Sequence, residues 1–469
     1  MNQKENSDSK ALKAGIGYTI GNVLIKGINF LSIPLFSRLM TTEEFGVYNV
    51  FLSYDAILFV VIGMALHSSV KSAKYQFKGQ INKYISSISL IYLINLCVFT
   101  ALLFVFRHKS TEITGYSLIV LLCLLLFSTG SALITLYNEL VSLEYDYKKY
   151  MGVALANSCG NVIISLILIL TVFRQSKDTG RIVGATTTIV FLSAFILYSF
   201  YKTERPKYNR DYWSFGIRYS LPIIPHGVSQ VLLGQFDRIM IQQIVSNTAA
   251  GIYSLAGNIK LVLTIINSSI ATAWTTWFYE NIAQNQSGKI QIRSAELVRL
   301  FSVFTVGILS IGPELILILG GSVYYDARQL VFPMVMDAFI LFLYNLIVPS
   351  EYYKQKTKYI MMGTLIAAVI NVVTNYIFIH KYGFVAAAYT TLFSYLCYLI
   401  LHIVISWKLV GFNVVPLKVI IIYSVIVALY GAVDTILSER IIVRYILCMT
   451  YVVPVIFPFA KRFLKSRKS

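Results

Sequence analysis

Charged side chains are scarce in this chain: Asp, Glu, Lys and Arg make up 13% of its 469 residues, about half the share found in soluble domains. With 57% hydrophobic residues and a mean hydropathy of +0.69, that deficit excludes an ordinary water-soluble globule. Cysteine is scarce too. Cys97, Cys123, Cys159, Cys397 and Cys448 form no CxxC pair and no metal-ligand spacing, so a disulfide framework and a thiolate metal site are set aside in favour of small packing residues. No GxxxxGK[ST] phrase occurs, which removes the loop that would hold ATP phosphates. The one glycine-rich phrase, GIGYTIG at 15–21, has one residue too many between its second and third glycines for a dinucleotide fingerprint. It reads instead as close helix packing. Acidic residues are outnumbered 21 to 40 by Lys and Arg, for a net charge of +19.

What the chain has in quantity is long apolar runs. Crossing roughly 30 Å of hydrocarbon at 1.5 Å per residue takes about 20 residues. Runs of that order recur about fourteen times, over 14–37, 47–69, 84–106, 116–138, 150–173, 182–201, 213–236, 249–277, 296–320, 330–350, 358–380, 384–407, 416–434 and 440–460. The fold class is therefore an all-α integral membrane protein. The polar start MNQKENSDSKALK is not followed by a short apolar segment with a small-residue cleavage site, so a cleaved signal peptide is not expected. Basic residues concentrate in alternate connections and at both ends: Lys4, Lys10 and Lys13, Lys71 to Lys83, Lys202 to Arg210, Lys354 to Lys358, and the tail KRFLKSRKS. By the positive-inside rule both termini are expected in the cytoplasm, and the tail reads as an anchor to anionic lipid rather than a nucleic-acid site.

The chain also repeats itself. Phe36, Arg38 and Met40 match Phe236, Arg238 and Met240 at an offset of 200, and Gly46 and Tyr48 match Gly251 and Tyr253 at 205, a difference read as a five-residue loop insertion. LEYDYKKYMG (143–152) matches SEYYKQKTKYIMMG (350–363), and RIVGATTT (181–188) matches GFVAAAYT (383–390). Three matches in register, each at a helix end, point to duplication. The expected layout is two six-helix bundles related by a pseudo-two-fold along the membrane normal. They comprise an N-terminal bundle at 1–201, a cytoplasmic linker at 202–212 and a C-terminal bundle at 213–411, with two added helices and a basic tail at 412–469. Such a layout is that of an alternating-access transporter.

LSIPLFSRLMTTEEFGVY closing the first run and KYGFVAAAYTT before the twelfth, on this topology, resemble the Wzx-type polysaccharide flippases, of the superfamily that also holds MATE exporters and lipid II flippases. The resemblance spans nearly the whole chain through topology and helix-end phrases. It implies transfer of an undecaprenyl-pyrophosphate-linked oligosaccharide from the inner to the outer leaflet of a bacterial cytoplasmic membrane, for capsule, O-antigen or exopolysaccharide assembly. It further implies no catalytic residues, no cofactor, proton or sodium as a coupling ion, contact with membrane lipids, and polymerase and chain-length proteins as partners in the same pathway. Two rivals stand beside it. An ion-coupled, MATE-like drug exporter would be expected to place carboxylates at the centre. A polysaccharide polymerase would be expected to carry a long external loop, whereas the longest external connection here is about eight residues.

Ionisable groups inside spans are functional candidates because each costs a few kcal/mol. The set is Lys26, Asp55, His67, Arg218, His226, Lys260, Glu314, Asp337, His402 and Asp434. The repeat places Lys26 opposite His226 and Asp55 opposite Lys260, as expected if the first, second, seventh and eighth spans face a shared cavity. Lys26, Lys260, Arg218 and His226 are then substrate-binding candidates toward a pyrophosphate, with Asp55 for charge balance, pairing with Lys26 or carrying a coupling proton. Each has a plainer reading: a bundle salt bridge for Lys260, snorkelling for Arg218, a passive kink at SLPIIPHG for His226. Arg38 and Arg238, with Asp237, form an expected extracytoplasmic gate, the alternative being interfacial arginines on headgroups.

Overall fold

The structure is a computed structural model. Its backbone is described over residues 2–466 and its side chains over 15–457 apart from 16, 19 and 20, so Lys4, Lys10, Lys13 and the basic tail lie outside the described side chains. Among the described residues the chain is helical, with no strand. The long helices run α1 Asn2–Leu39, α2 Thr42–Gly63, α3 Ile81–Val105, α4 Leu118–Leu143, α5 Tyr147–Leu170 and α6 Lys177–Thr203. There follow α7a Arg210–Ser220, α7b Ile224–Ile244, α8a Asn247–Gly257 and α8b Leu261–Ala283, then α9 Ser287–Gly320, α10 Val331–Ile347, α11 Thr357–Tyr382, α12 Val385–Val410, α13 Leu417–Ile436 and α14 Ile441–Ser466. Eleven helical segments among the described residues are long and apolar enough to cross a membrane. The remaining apolar runs fall on α1, α7 and α14.

Two of the expected spans are broken. A 3-10 turn at Leu221–Ile223 separates α7a from α7b, because Pro222 and Pro225 remove backbone donors there. A second, at Asn258–Lys260, interrupts the eighth span and puts Lys260 at the break.

The chain divides into two compact units, 1–239 and 240–469. The division falls inside α7b, whereas sequence placed the linker at 202–212. In unit 1, α6 packs along α5 and α4, α4 along α2, and α5 along α1. The α5–α6 seam is tight: a Cβ on Gly184 would stand 2.5 Å from the Ser165 Cα, so glycine is required where those backbones meet. Gly17 of GIGYTIG faces the Tyr147 ring of α5, 2.3 Å from where its Cβ would be, which makes that phrase a packing surface. In unit 2, α11 packs on α12, α12 on α10, and α9 on α10, α13 and α14. Helix α10 is buried along nearly its whole length, with Phe342 stacked on Phe301 at 3.9 Å.

The repeated phrase has a local cause in unit 1. In TTEEF, Thr41 caps α2: its hydroxyl accepts from the Glu44 N–H at 3.1 Å and the Glu44 carboxylate accepts from the Thr41 N–H at 2.8 Å, a reciprocal capping box. The corresponding turn before α8a is capped by Ser246, whose hydroxyl accepts from the Ala249 N–H at 3.1 Å. One expectation is corrected. Four of the five extra residues of the second copy are not a loop: 241–244 continue α7b, since Ile-Gln-Gln-Ile contains nothing that ends a helix. Arg238 therefore sits inside a helix, while Arg38 lies in the last turn of α1.

Candidate functional site

The ionisable residues sort by unit. In unit 1, Lys26 is exposed and makes no ion pair among the described residues. At about 100° per residue it lies about 180° around α1 from Gly17, on the face opposite that glycine. Asn22, Lys26 and Asn29 share that exposed face at helical spacing, and the Tyr150 hydroxyl donates to Asn22 Oδ1 at 3.0 Å. Asp55 on α2 is half-buried and accepts from the Ser128 hydroxyl of α4 at 2.7 Å. Its partner is thus a hydroxyl rather than Lys26. Arg218 is exposed near the end of α7a. His226, two residues into α7b, is half-buried with its Nδ1 lacking a hydrogen-bond partner among the described residues.

At the other end of these helices Arg38 is exposed. Asp237 is buried, and the Arg238 guanidinium donates to the Gln235 side chain one turn earlier. The structure adds a cation that sequence reading passed over. Arg181, 6% exposed on α6, lies over the Phe36 ring at 3.6 Å and the Tyr48 ring at 4.7 Å and donates to the Asn161 carbonyl at 3.2 Å. Both rings belong to the phrase that recurs. Lys177 completes the clasp: its ammonium donates to the Leu39 carbonyl at 2.7 Å and its N–H to Glu44 at 3.0 Å. The α1–α2 turn is thereby fixed to the start of α6.

Unit 2 treats charge differently. Lys260 donates to both oxygens of Asp337 on α10, at 2.8 and 3.1 Å. His402 of α12 meets Glu351 at 2.5 Å with both side chains fully buried, flanked by the Tyr344 and Tyr398 rings. Arg444, fully buried on α14, bonds Glu314 of α9, donates to the Ser310 carbonyl at 2.7 Å and stands 3.9 Å from Asp434 of α13. Lys260, Asp337, Glu314 and Asp434 are thus each paired with an opposite charge on another helix, and His402 with a carboxylate it hydrogen-bonds. Arg444 and Glu351 were missing from the set that sequence singled out. Both sit close to the ends of apolar runs, where a charge reads as a membrane flank.

No group of three or more His, Cys, Asp or Glu side chains that would hold a metal occurs among the described residues. What the geometry offers is a helical membrane protein with polar, cation-bearing faces on α1 and α7 and internally neutralised charges around α10 and α12.

This architecture is that of the transporters built on the MurJ and MATE fold. The chain superposes on a lipid II flippase MurJ in an inward closed conformation with a TM-score of 0.72 at 14% identity, covering 96% of this chain and all of that one. On an inward-facing multidrug resistance MATE family transporter of the MOP superfamily the TM-score is 0.63 at 13% identity, covering 81% and 97%. Residues 11–281 match the model of the polysaccharide biosynthesis protein family, more than half of the chain, and the chain belongs to that family. It is 22% identical over 382 residues to Lsg locus putative protein 1 of Haemophilus influenzae, covering 77% of this chain and 90% of that protein. It is also 21% identical over 398 residues to a probable low-salt glycan biosynthesis flippase, Agl15, of Haloferax volcanii, covering 83% and 82%.

Proposed function

We propose that this protein is a flippase that moves an undecaprenyl-pyrophosphate-linked oligosaccharide from the inner to the outer leaflet of a bacterial cytoplasmic membrane, with both termini in the cytoplasm. The product serves capsule, O-antigen or exopolysaccharide assembly. The observation that carries the reading is Lys26: an ammonium halfway along a membrane helix, on an exposed polar stripe with Asn22 and Asn29, with no carboxylate partner among the described residues. A bare cation in hydrocarbon is costly. It is stabilised by water and by an anion, and a pyrophosphate supplies two negative phosphoryl groups that bind more tightly as water is excluded.

In unit 1 the phosphate contacts are assigned to Lys26, Arg218 and His226, whose free Nδ1 is a further polar contact. Lys260, in unit 2, is likewise assigned to phosphate, sharing its ammonium with Asp337. Asp55 balances charge, and Arg38, Arg238 and Asp237 act at the extracytoplasmic end. The sugar hydroxyls find partners on the stripe of Thr264, Ser268 and Thr272 along α8b, exposed in this unit and each donating its own proton back to the helix, so that its lone pairs can accept. Membership of the polysaccharide biosynthesis family, the fold shared with MurJ and the name carried by the Haloferax relative support the same reading.

The test is the fate of the lipid-linked repeat unit in cells lacking the protein. Those units should accumulate in the inner leaflet and surface polymer should be lost, with Lys26→Ala reproducing the loss at normal protein level. Polymer and transbilayer distribution unchanged in a strain with no second flippase would overturn the proposal.

A further inference from the structure

At one end of unit 1 a pocket of about 240 Å³ is enclosed by the ends of four helices. Asn82 comes from the first turn of α3, Tyr137 from α4, Glu144 from just beyond α4, Lys149 from the first turn of α5, and Ser199 and Thr203 from the last turns of α6. Its place at the helix ends puts it in the headgroup zone of the bilayer rather than the hydrocarbon, on the face that carries Lys83, Lys148 and Lys202. In the topology proposed above that face is cytoplasmic.

The lining has both signs of charge. Lys149 carries an ammonium that also bridges Asp146 at 3.1 Å and remains well exposed. The Glu144 carboxylate, also exposed, belongs to the same lining. The Tyr137 hydroxyl and the Asn82 amide of the lining have no hydrogen-bond partner among the described residues, so the pocket holds two further donors. Thr203 spends its proton on the Ser199 carbonyl at 3.0 Å, leaving its oxygen in the lining as an acceptor. A cation with donors and an anion with acceptors in one pocket are what a phosphate joined to a primary ammonium by a two-carbon bridge requires.

We propose that this pocket binds the headgroup of a phospholipid carrying a primary ammonium, phosphatidylethanolamine in chemical terms: phosphate on Lys149, Asn82 and Tyr137, ammonium on Glu144 and Thr203. The bound lipid ties α3, α4, α5 and α6 together at one membrane face. The site is independent of the substrate assignment, since it lies at the helix ends of a single unit and its readout is lipid retention rather than transport.

The experiment is native mass spectrometry of the full-length protein released from micelles holding equal amounts of phosphatidylethanolamine, phosphatidylcholine and phosphatidylglycerol. The choline headgroup has the charge but no N–H to donate, and the glycerol headgroup has no cation. Wild type should retain the ethanolamine lipid about fivefold over the choline lipid, as one partly exposed charge-assisted bond gives. Glu144→Gln should bring that ratio close to one. Lys149→Met should lower retention of both lipids together and leave their ratio in place. Both changes are at exposed side chains and leave the helix packing untouched. Equal retention of the two lipids by wild type, preferential retention of the glycerol lipid, or an ethanolamine preference that survives Glu144→Gln would each overturn the proposal. Unchanged retention in Lys149→Met would overturn the phosphate assignment.

Discussion

Unit 2 pairs its intramembrane charges and unit 1 leaves several without carboxylate partners. Around α10 and α12 Lys260 meets Asp337, and Glu314 and Asp434 meet Arg444, while the His402 ring bonds the Glu351 carboxylate. In unit 1, Lys26 and Arg218 have no ion-pair partner among the described residues, and Arg181 rests on aromatic rings rather than a carboxylate. The two units thus treat intramembrane charge differently. Ion pairs in a low-dielectric interior fix the helices that make them, whereas an uncompensated cation at membrane depth is an unmet demand for an anion. The contrast assigns a framework role to the paired charges of unit 2 other than Lys260 and, under the function proposed above, a substrate-facing role to Lys26 and Arg218 of unit 1.

The sharpest way to break that contrast is at Arg444. Arg444→Met leaves Glu314 and Asp434 facing one another with no cation, and the expected cost is about 3–5 kcal/mol, read as a large drop in the melting temperature of the detergent-solubilised protein. The triple change Arg444→Met, Glu314→Leu, Asp434→Leu should recover most of it, because the three charges go together. A wild-type melting temperature in the single variant would show that the cluster does not hold α13 and α14 to α9. Next comes Lys26→Ala, for which the sign is reversed. Stability should be unaffected while translocation of the lipid-linked repeat unit falls about 10–100-fold, the loss of one charge-assisted contact worth about 1.5–3 kcal/mol, with Lys26→Arg keeping part of the activity. A Lys26→Ala protein that melts early and transports normally would place this lysine with the framework charges instead.

Arg181→Met tests the intermediate case. A desolvated guanidinium over two rings is worth about 2 kcal/mol, and removing it also frees the α1–α2 turn from α6. Thermal stability should fall by about that amount, and Arg181→Lys, which cannot stack its charge as a plane, should recover less than half.

Much of this was legible in the residues, and what was not has identifiable causes. The membrane class, the helical composition and the family followed from apolar runs and helix-end phrases, because hydrocarbon admits few alternatives to the helix. Asp337 and Lys260 were both singled out but could not be joined, since their contact spans helices separated by long stretches of chain and no periodicity encodes it. Arg444 sits in the first turn of its helix and Arg181 in the second of its own, where a basic residue is ordinarily a flank in contact with headgroups. Only packing shows that one is sealed by two carboxylates and the other by Phe36 and Tyr48. The signal that would have found them is the mismatch itself: Glu314 and Asp434 on neighbouring apolar helices require a cation, and Arg444 is the basic residue within reach. The insertion between the two copies was read as a loop because a gap between matched phrases is usually one, yet its residues were helix formers all along.

The smallest effect separates the two copies of the opening phrase most finely. Thr41 and Ser246 cap corresponding helices, yet only Thr41 has a glutamate at the third helical position to return the bond; Ser246 has Ala249 there. Thr41→Ala removes a hydrogen bond, uncouples Glu44 from the Thr41 N–H and so loosens the carboxylate that also receives the Lys177 N–H. Ser246→Ala removes one bond and nothing else. Loss of a cap costs about 1 kcal/mol, so Ser246→Ala should lower stability by about that amount, and Thr41→Ala by about half as much again for the reciprocal bond. Melting temperatures of the two single variants and of Glu44→Gln decide it. Glu44→Gln keeps an oxygen that can accept from one N–H, so it should fall between wild type and Thr41→Ala. If Thr41→Ala and Ser246→Ala are equal, the capping box adds nothing beyond a hydroxyl cap, and the hold on the first hairpin rests on Arg181 and Lys177 alone.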